Sequence, residues 1–118
     1  MKDTNAEGNY WYLAMSADRQ NQYDRAVFLY KKYMTKARLR IQNSHGDATE
    51  NPKAWLHIGT VLRRKMHNEG ITEKEWIEMI YNYEVYLKMV PNDPYALGIE
   101  DFMNKAREKR PEPNKKLS

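Results

Sequence analysis

The sequence predicts an all-α protein of about five helices arranged as antiparallel pairs. Three observations carry that expectation. Apolar residues recur at helical spacing through most of the chain, no stretch alternates apolar and polar residues long enough for a strand, and helix-start signals are spread along its length. The 118 residues suit one domain, and 41% hydrophobic residues with only 5 Gly and 5 Pro can bury a core.

The first helix is placed after Thr4, because Thr4-Asn5-Ala6-Glu7 has the form of a capping box. Tyr10, Leu13, Ala14 and Ala17 then fall on one face, although Gly8 weakens the first turn. Asn21-Gln22 reads as a turn, and a second helix covers residues 23–41 with Ala26, Tyr30, Tyr33, Met34 and Ala37 inward. Residues 43–50 are a polar loop without periodicity. Asn51-Pro52 restarts the chain, since Asn is a preferred N-cap and Pro fits the first helical position.

The third helix carries Trp55, Ile58, Gly59 and Leu62 on one face and ends within residues 66–70. Thr72-Glu73-Lys74-Glu75 is a second capping box, opening a fourth helix that reaches Val90. Trp76, Ile80, Tyr83, Leu87 and Val90 form its main stripe, Met79 and Tyr86 widen it, and Ile77, Tyr81 and Val85 lie off it. A helix this broadly apolar is either central or partly covered by a partner. Pro91 stops it, Asp93-Pro94 repeats the cap-plus-proline start, and a fifth helix carries Ile99, Phe102, Met103 and Ala106. Residues 1–108 therefore read as a helical domain and residues 109–118 as a basic tail with nothing to bury.

Several chemistries find no residues to carry them. The chain has no cysteine, which removes disulfides, thiolate zinc sites and thiol nucleophiles. His45, His57 and His67 lack metal-type spacing, and Gly46, Gly59, Gly70 and Gly98 stand alone rather than in a phosphate-binding loop. Ser16 and Ser44 have no base nearby in sequence, and the pair Glu75 and Glu78 is ordinary on a solvated helix. The expectation is a non-enzyme with no cofactor and no metal. No apolar run is long enough to cross a bilayer, and the first residues do not resemble a secretory signal. A cytoplasmic address is the default, and the mature form of an exported protein would look the same.

Charge is distributed in blocks. Lys31, Lys32, Lys36, Arg38, Arg40, Lys53, Arg63, Arg64 and Lys65 face only Asp47 and Glu50 in residues 31–65. In residues 66–101 the balance reverses, with Glu69, Glu73, Glu75, Glu78, Glu84, Asp93, Glu100 and Asp101 against Lys74 and Lys88. Such blocks can steer an acidic partner or stack copies head to tail, and they are also what plain solvated faces look like. The aromatic set is 9 Tyr and 3 Trp against 2 Phe, a balance that suits half-buried positions and contact surfaces as well as a core.

Superposing Tyr10 on Trp55 aligns Tyr10, Leu13, Ala14, Ala17 with Trp55, Ile58, Gly59, Leu62. The order aromatic, large apolar, small, apolar resembles the first helix of a tetratricopeptide repeat. Tyr23-Asp24-Arg25-Ala26 with Tyr30 and Tyr33-Met34 resembles the second helix, as do Met79, Tyr83 and Tyr86-Leu87 followed by Pro91-Asn92-Asp93-Pro94. The resemblance covers residues 10–106 and implies a right-handed superhelical array of helix pairs with a C-terminal shielding helix. The departures are a spacing of 45 from Tyr10 to Trp55 and 42 from Pro52 to Pro94, against a family period of about 34. Met79 also replaces the usual small residue.

In that family the first helices line a concave surface. The resemblance puts Trp11, Tyr12, Met15 and Arg19 there, with Leu56, His57, Thr60, Arg63 and Arg64 from the second pair. This wall implies a protein or peptide partner with apolar anchors and acidic residues. Trp11 and Met15 completing the core instead is the bland alternative. The positions of the family's carboxylate clamp read Trp11, Met15, His57, Tyr95 and Ile99, and none matches. The expected function is an adaptor or scaffold that organises assembly of a larger complex, with self-association as one mode. The rival reading is nucleic-acid binding through the basic face of residues 31–65, with Tyr30 and Tyr33 as stacking groups.

Overall fold

The computed structural model describes residues 7–43 and 51–109, and they form five α-helices. These are α1 (Glu7–Arg19), α2 (Tyr23–Asn43), α3 (Lys53–Glu69), α4 (Glu73–Met89) and α5 (Ala96–Glu108). The described residues contain no strand, so the all-α class holds. The first capping box at Thr4, most of the polar loop and the tail beyond Lys109 lie outside the described residues. The chain divides into two compact units, Met1–Ala54 and Trp55–Ser118.

In the first unit α1 packs against α2. Asn21 closes α1 with a positive φ of 59°, a conformation Asn tolerates better than most residues, and the Gln22 N–H donates to the Ala17 carbonyl at 2.9 Å. The predicted inner face of α2 is buried throughout: Ala26, Tyr30, Tyr33, Met34 and Ala37, joined by Tyr23, Val27 and Leu29. On α1 the small residues Ala14 and Ala17 are buried, whereas Leu13, read as inward, is 47% exposed. Within this unit α1 has a single helix partner, so only a narrow stripe is covered. Trp11 takes part of the role assigned to Leu13, setting its ring edge-on to Tyr30 and Tyr33 at 5.4 and 4.8 Å.

The second unit holds α3, α4 and α5. Asn51 caps α3 as expected, its side-chain oxygen accepting from the Lys53 N–H at 3.0 Å. Gly70, with φ 87°, ends α3 and returns its N–H to the carbonyls of Lys65 and Met66. Thr72 and Glu75 form the predicted capping box at the start of α4. Glu75 also pairs with the buried ammonium of Lys65, so the box doubles as a clasp between α3 and α4. Burial alone would raise the Glu75 carboxyl, but the Lys65 ammonium and the Thr72 N–H and hydroxyl hold it below its ordinary value.

Trp76, Met79, Ile80, Tyr83 and Tyr86 make the buried face of α4, while Ile77 and Tyr81 stay exposed. Asn82 is buried too, and its amide donates to the Glu78 carbonyl one turn back at 2.7 Å. The start of α5 differs from expectation. Asp93-Pro94 does not cap it. The helix begins at Ala96 behind Tyr95, which makes no side-chain cap. The Asp93 carboxylate is engaged elsewhere, accepting from the Tyr95 N–H at 2.6 Å and from the Tyr86 hydroxyl. It fixes the turn between α4 and α5 rather than a helix end.

Gly59 sits where α3 and α4 touch. A β-carbon there would stand 3.0 Å from the Tyr83 ring, which is 1% exposed and cannot swing aside. Gly59→Val is expected to destabilise the protein by about 2–3 kcal/mol through overpacking, read as a lower urea midpoint. A second expectation concerns alkali. Burial, then the hydrogen bond to Asp93 and its charge, push the Tyr86 hydroxyl from its ordinary 10.0 up to about 12. A raised phenol favours the folded state fully below its unfolded value, and that contribution is lost as pH rises through the folded one. The melting-temperature advantage over Tyr86→Phe should therefore hold to about pH 10 and vanish by about pH 12.

Candidate functional site

The predicted binding residues fall on two helices, α1 in the first unit and α3 in the second. On α1, Tyr12 is 72% exposed and Arg19 is exposed, its guanidinium donating to the Met15 carbonyl at 3.5 Å. Trp11 and Met15 are half-buried. The Trp11 ring is spent on the contact with α2, so the free aromatic surface of α1 is Tyr12.

On α3, Leu56, His57 and Thr60 are half-buried, and Arg63 and Arg64 are exposed. Thr60 is tied inward: its hydroxyl lies 3.1 Å from that of Tyr83. Burial raises the Tyr83 hydroxyl, and the Thr60 hydrogen bond with the nearby guanidiniums of Arg63 and Arg64 works against that rise. Arg63 is held on its other side by Phe102 of α5, with the guanidinium carbon 4.0 Å from the ring centroid. Phe102 in turn meets Tyr83 edge-on at 5.9 Å. Thr60, Tyr83, Arg63 and Phe102 thus form one connected cluster across three helices.

Beside this cluster a cleft of about 430 Å³ opens on the second unit, lined by Arg63, Arg64, Met66, His67 and Phe102. Sequence reading placed Arg63 and Arg64 at a binding surface but missed Met66, His67 and Phe102. Met66 and His67 follow Arg63 by three and four positions, so helical spacing alone puts all three on one face. Phe102 arrives from a different helix, and no local pattern announces it. Among the described residues no group of three His, Asp or Glu side chains is placed to hold a metal ion, and no helix is long and apolar enough to cross a membrane.

The two neighbouring aromatics of α1 should separate stability from recognition. Trp11→Ala is expected to cost about 2–3 kcal/mol, less than a fully buried tryptophan, because it removes the contacts to Tyr30 and Tyr33. Tyr12→Ala should change stability by no more than about 0.5 kcal/mol. Chemical denaturation of the two variants checks both. Comparison with protein-family models, with curated proteins and with solved structures finds no match to this chain.

Proposed function

We propose that the chain is a non-catalytic protein–protein interaction module, an adaptor or scaffold in the assembly of a larger complex. The observation that carries this reading is the apolar surface the folded chain leaves open on its helices. Ile77 and Tyr81 stand one turn apart on the outer side of α4, 46% and 57% exposed, with Val85 half-buried a turn further on. Tyr12 on α1, and Tyr95 and Leu97 at the start of α5, are more exposed still. Paired exposed aromatic and aliphatic groups at helical spacing are what a helix face offers to a partner.

The tetratricopeptide resemblance is part of the same reading. Its support is the close approach of α3 and α4 at Gly59, the small residue on which the alignment turns, and the buried Ala14 at the aligned place in α1. A superhelical array of such pairs would present Tyr12 and the outer residues of α3 to a partner. The rival, nucleic-acid binding, draws on the exposed Lys31, Lys32, Arg38 and Arg40 of α2, where the Lys32 ammonium lies 5.4 Å over the Phe28 ring.

Capture from native extract tests the proposal. Tyr12→Ala and Ile77→Ser should each reduce recovery of partner proteins severalfold while melting temperatures stay within a few degrees. Unchanged recovery in both variants would sink the interaction surface. Strong retention on heparin that collapses between low and moderate salt would favour the nucleic-acid reading instead.

A further inference from the structure

The cleft on the second unit has a chemistry more specific than a generic docking face. Its lining combines two arginines and a histidine with two apolar groups, Met66 and Phe102, and among the described residues it holds no carboxylate. The Arg63 guanidinium is stacked on Phe102, which keeps its plane in place before any ligand arrives. A guanidinium carries its five N–H donors in its own plane, and stacking on a ring face uses none of them. The edge of a stacked arginine is suited to a planar carboxylate, which it can meet with two parallel hydrogen bonds.

From this geometry we infer that the cleft binds a short acidic peptide segment, in which a carboxylate side chain stands beside a leucine- or phenylalanine-type one. The carboxylate meets Arg63 with Arg64 and His67 beside it, and the apolar neighbour lies against Met66 and Phe102. The size fits, since about 430 Å³ accommodates a few side chains. Charge selects the same occupant. The lining is basic and apolar together, with Arg63, Arg64 and His67 beside Met66 and Phe102. A peptide with one or two acids and an apolar neighbour uses both halves of that lining, whereas a polyanion would use the basic half alone. The inference rests on the protein-binding reading above and names the partner chemistry for one of its surfaces.

Fluorescence anisotropy on the full chain tests it. The probes are a labelled peptide with Glu-Leu-Glu between Ser-Gly flanks, the same peptide with Gln for Glu, and labelled oligothymidylate. The acidic peptide should bind at least about tenfold more tightly than its Gln counterpart, since charge-assisted hydrogen bonds are roughly twice as strong as neutral ones. Arg63→Gln should weaken binding by a similar factor. Phe102→Leu, which keeps apolar bulk but removes the ring face, should weaken it severalfold with circular dichroism unchanged. Equal affinity for the acidic and Gln peptides, full affinity in Arg63→Gln, or tighter binding of oligothymidylate would each overturn the assignment. If the peptide fails while Tyr12→Ala still lowers partner capture, the cleft falls and the interaction module stands. If capture is indifferent to Tyr12 and Ile77, the module reading falls whatever the peptide does.

Discussion

Much of the second unit depends on where one side chain, Tyr83, is able to lie. Its ring fits flat against the backbone of α3 because Gly59 has no side chain there, and this sets how near α3 and α4 can come. The same ring supports Phe102 edge-on, and Phe102 in turn supports Arg63. The hydroxyl at its far end is buried, so it needs a partner, and Thr60 supplies one. A tyrosine suits this position better than a phenylalanine or a leucine would. It fills a tight interhelical space and still carries a polar atom to where Thr60 can meet it.

Both ends of α4 are secured by polar contacts, and in each a residue serves twice. At the start, Glu75 closes the capping box with Thr72 and neutralises the buried Lys65 ammonium. A buried cation without its partner is costly, so this arrangement favours one register of α3 against α4 over its neighbours. At the end, Asp93 receives both the Tyr86 hydroxyl and the Tyr95 N–H, which orients the turn into α5. Arg107 then bridges from α5 to Glu84 at 2.7 Å on the outside, a half-exposed pair that contributes little energy but agrees with the same alignment. The first unit has a different economy. Its hairpin is joined by aromatic edges from Trp11 and by small residues at Ala14, Ala17 and Ala26.

Helix number, helix order and most of the inward faces were readable because they follow from local signals. Periodicity finds the stripe on α2, and Asn51, Gly70 and the Thr72–Glu75 box mark ends by backbone chemistry that acts within a few residues. Local signals misled where a residue had two uses. Asp93 before a proline resembles a cap, yet its carboxylate is drawn to Tyr86, seven positions earlier, and α5 starts later. Leu13 lies on the predicted stripe of α1, but a helix with one partner in its unit covers less of that stripe, and the larger Trp11 ring reaches the contact. The cleft was half legible. Arg63 and Arg64 are conspicuous in a basic run, while the aromatic wall they need comes from Phe102, almost forty positions away, through packing that no spacing rule encodes.

The tyrosine-rich composition ties these parts together. A core needs apolar volume, and leucine or isoleucine would supply it without a hydroxyl to satisfy. Here Tyr23, Tyr30, Tyr33, Tyr83 and Tyr86 fill the interior, while Tyr12, Tyr81 and Tyr95 stand out in solvent. Exposed leucines in those three places would favour indiscriminate aggregation, whereas a phenol stays hydrated at its tip and still offers a broad apolar face with few rotatable bonds to freeze on contact. Tyr81 shows the two roles in one residue: its ring leans edge-on against the buried Trp55 at 6.0 Å, yet 57% of it remains open. An exposed ring already braced from beneath loses little freedom when a partner covers it. That makes surface of this kind better suited to recognition than an unsupported side chain of equal area.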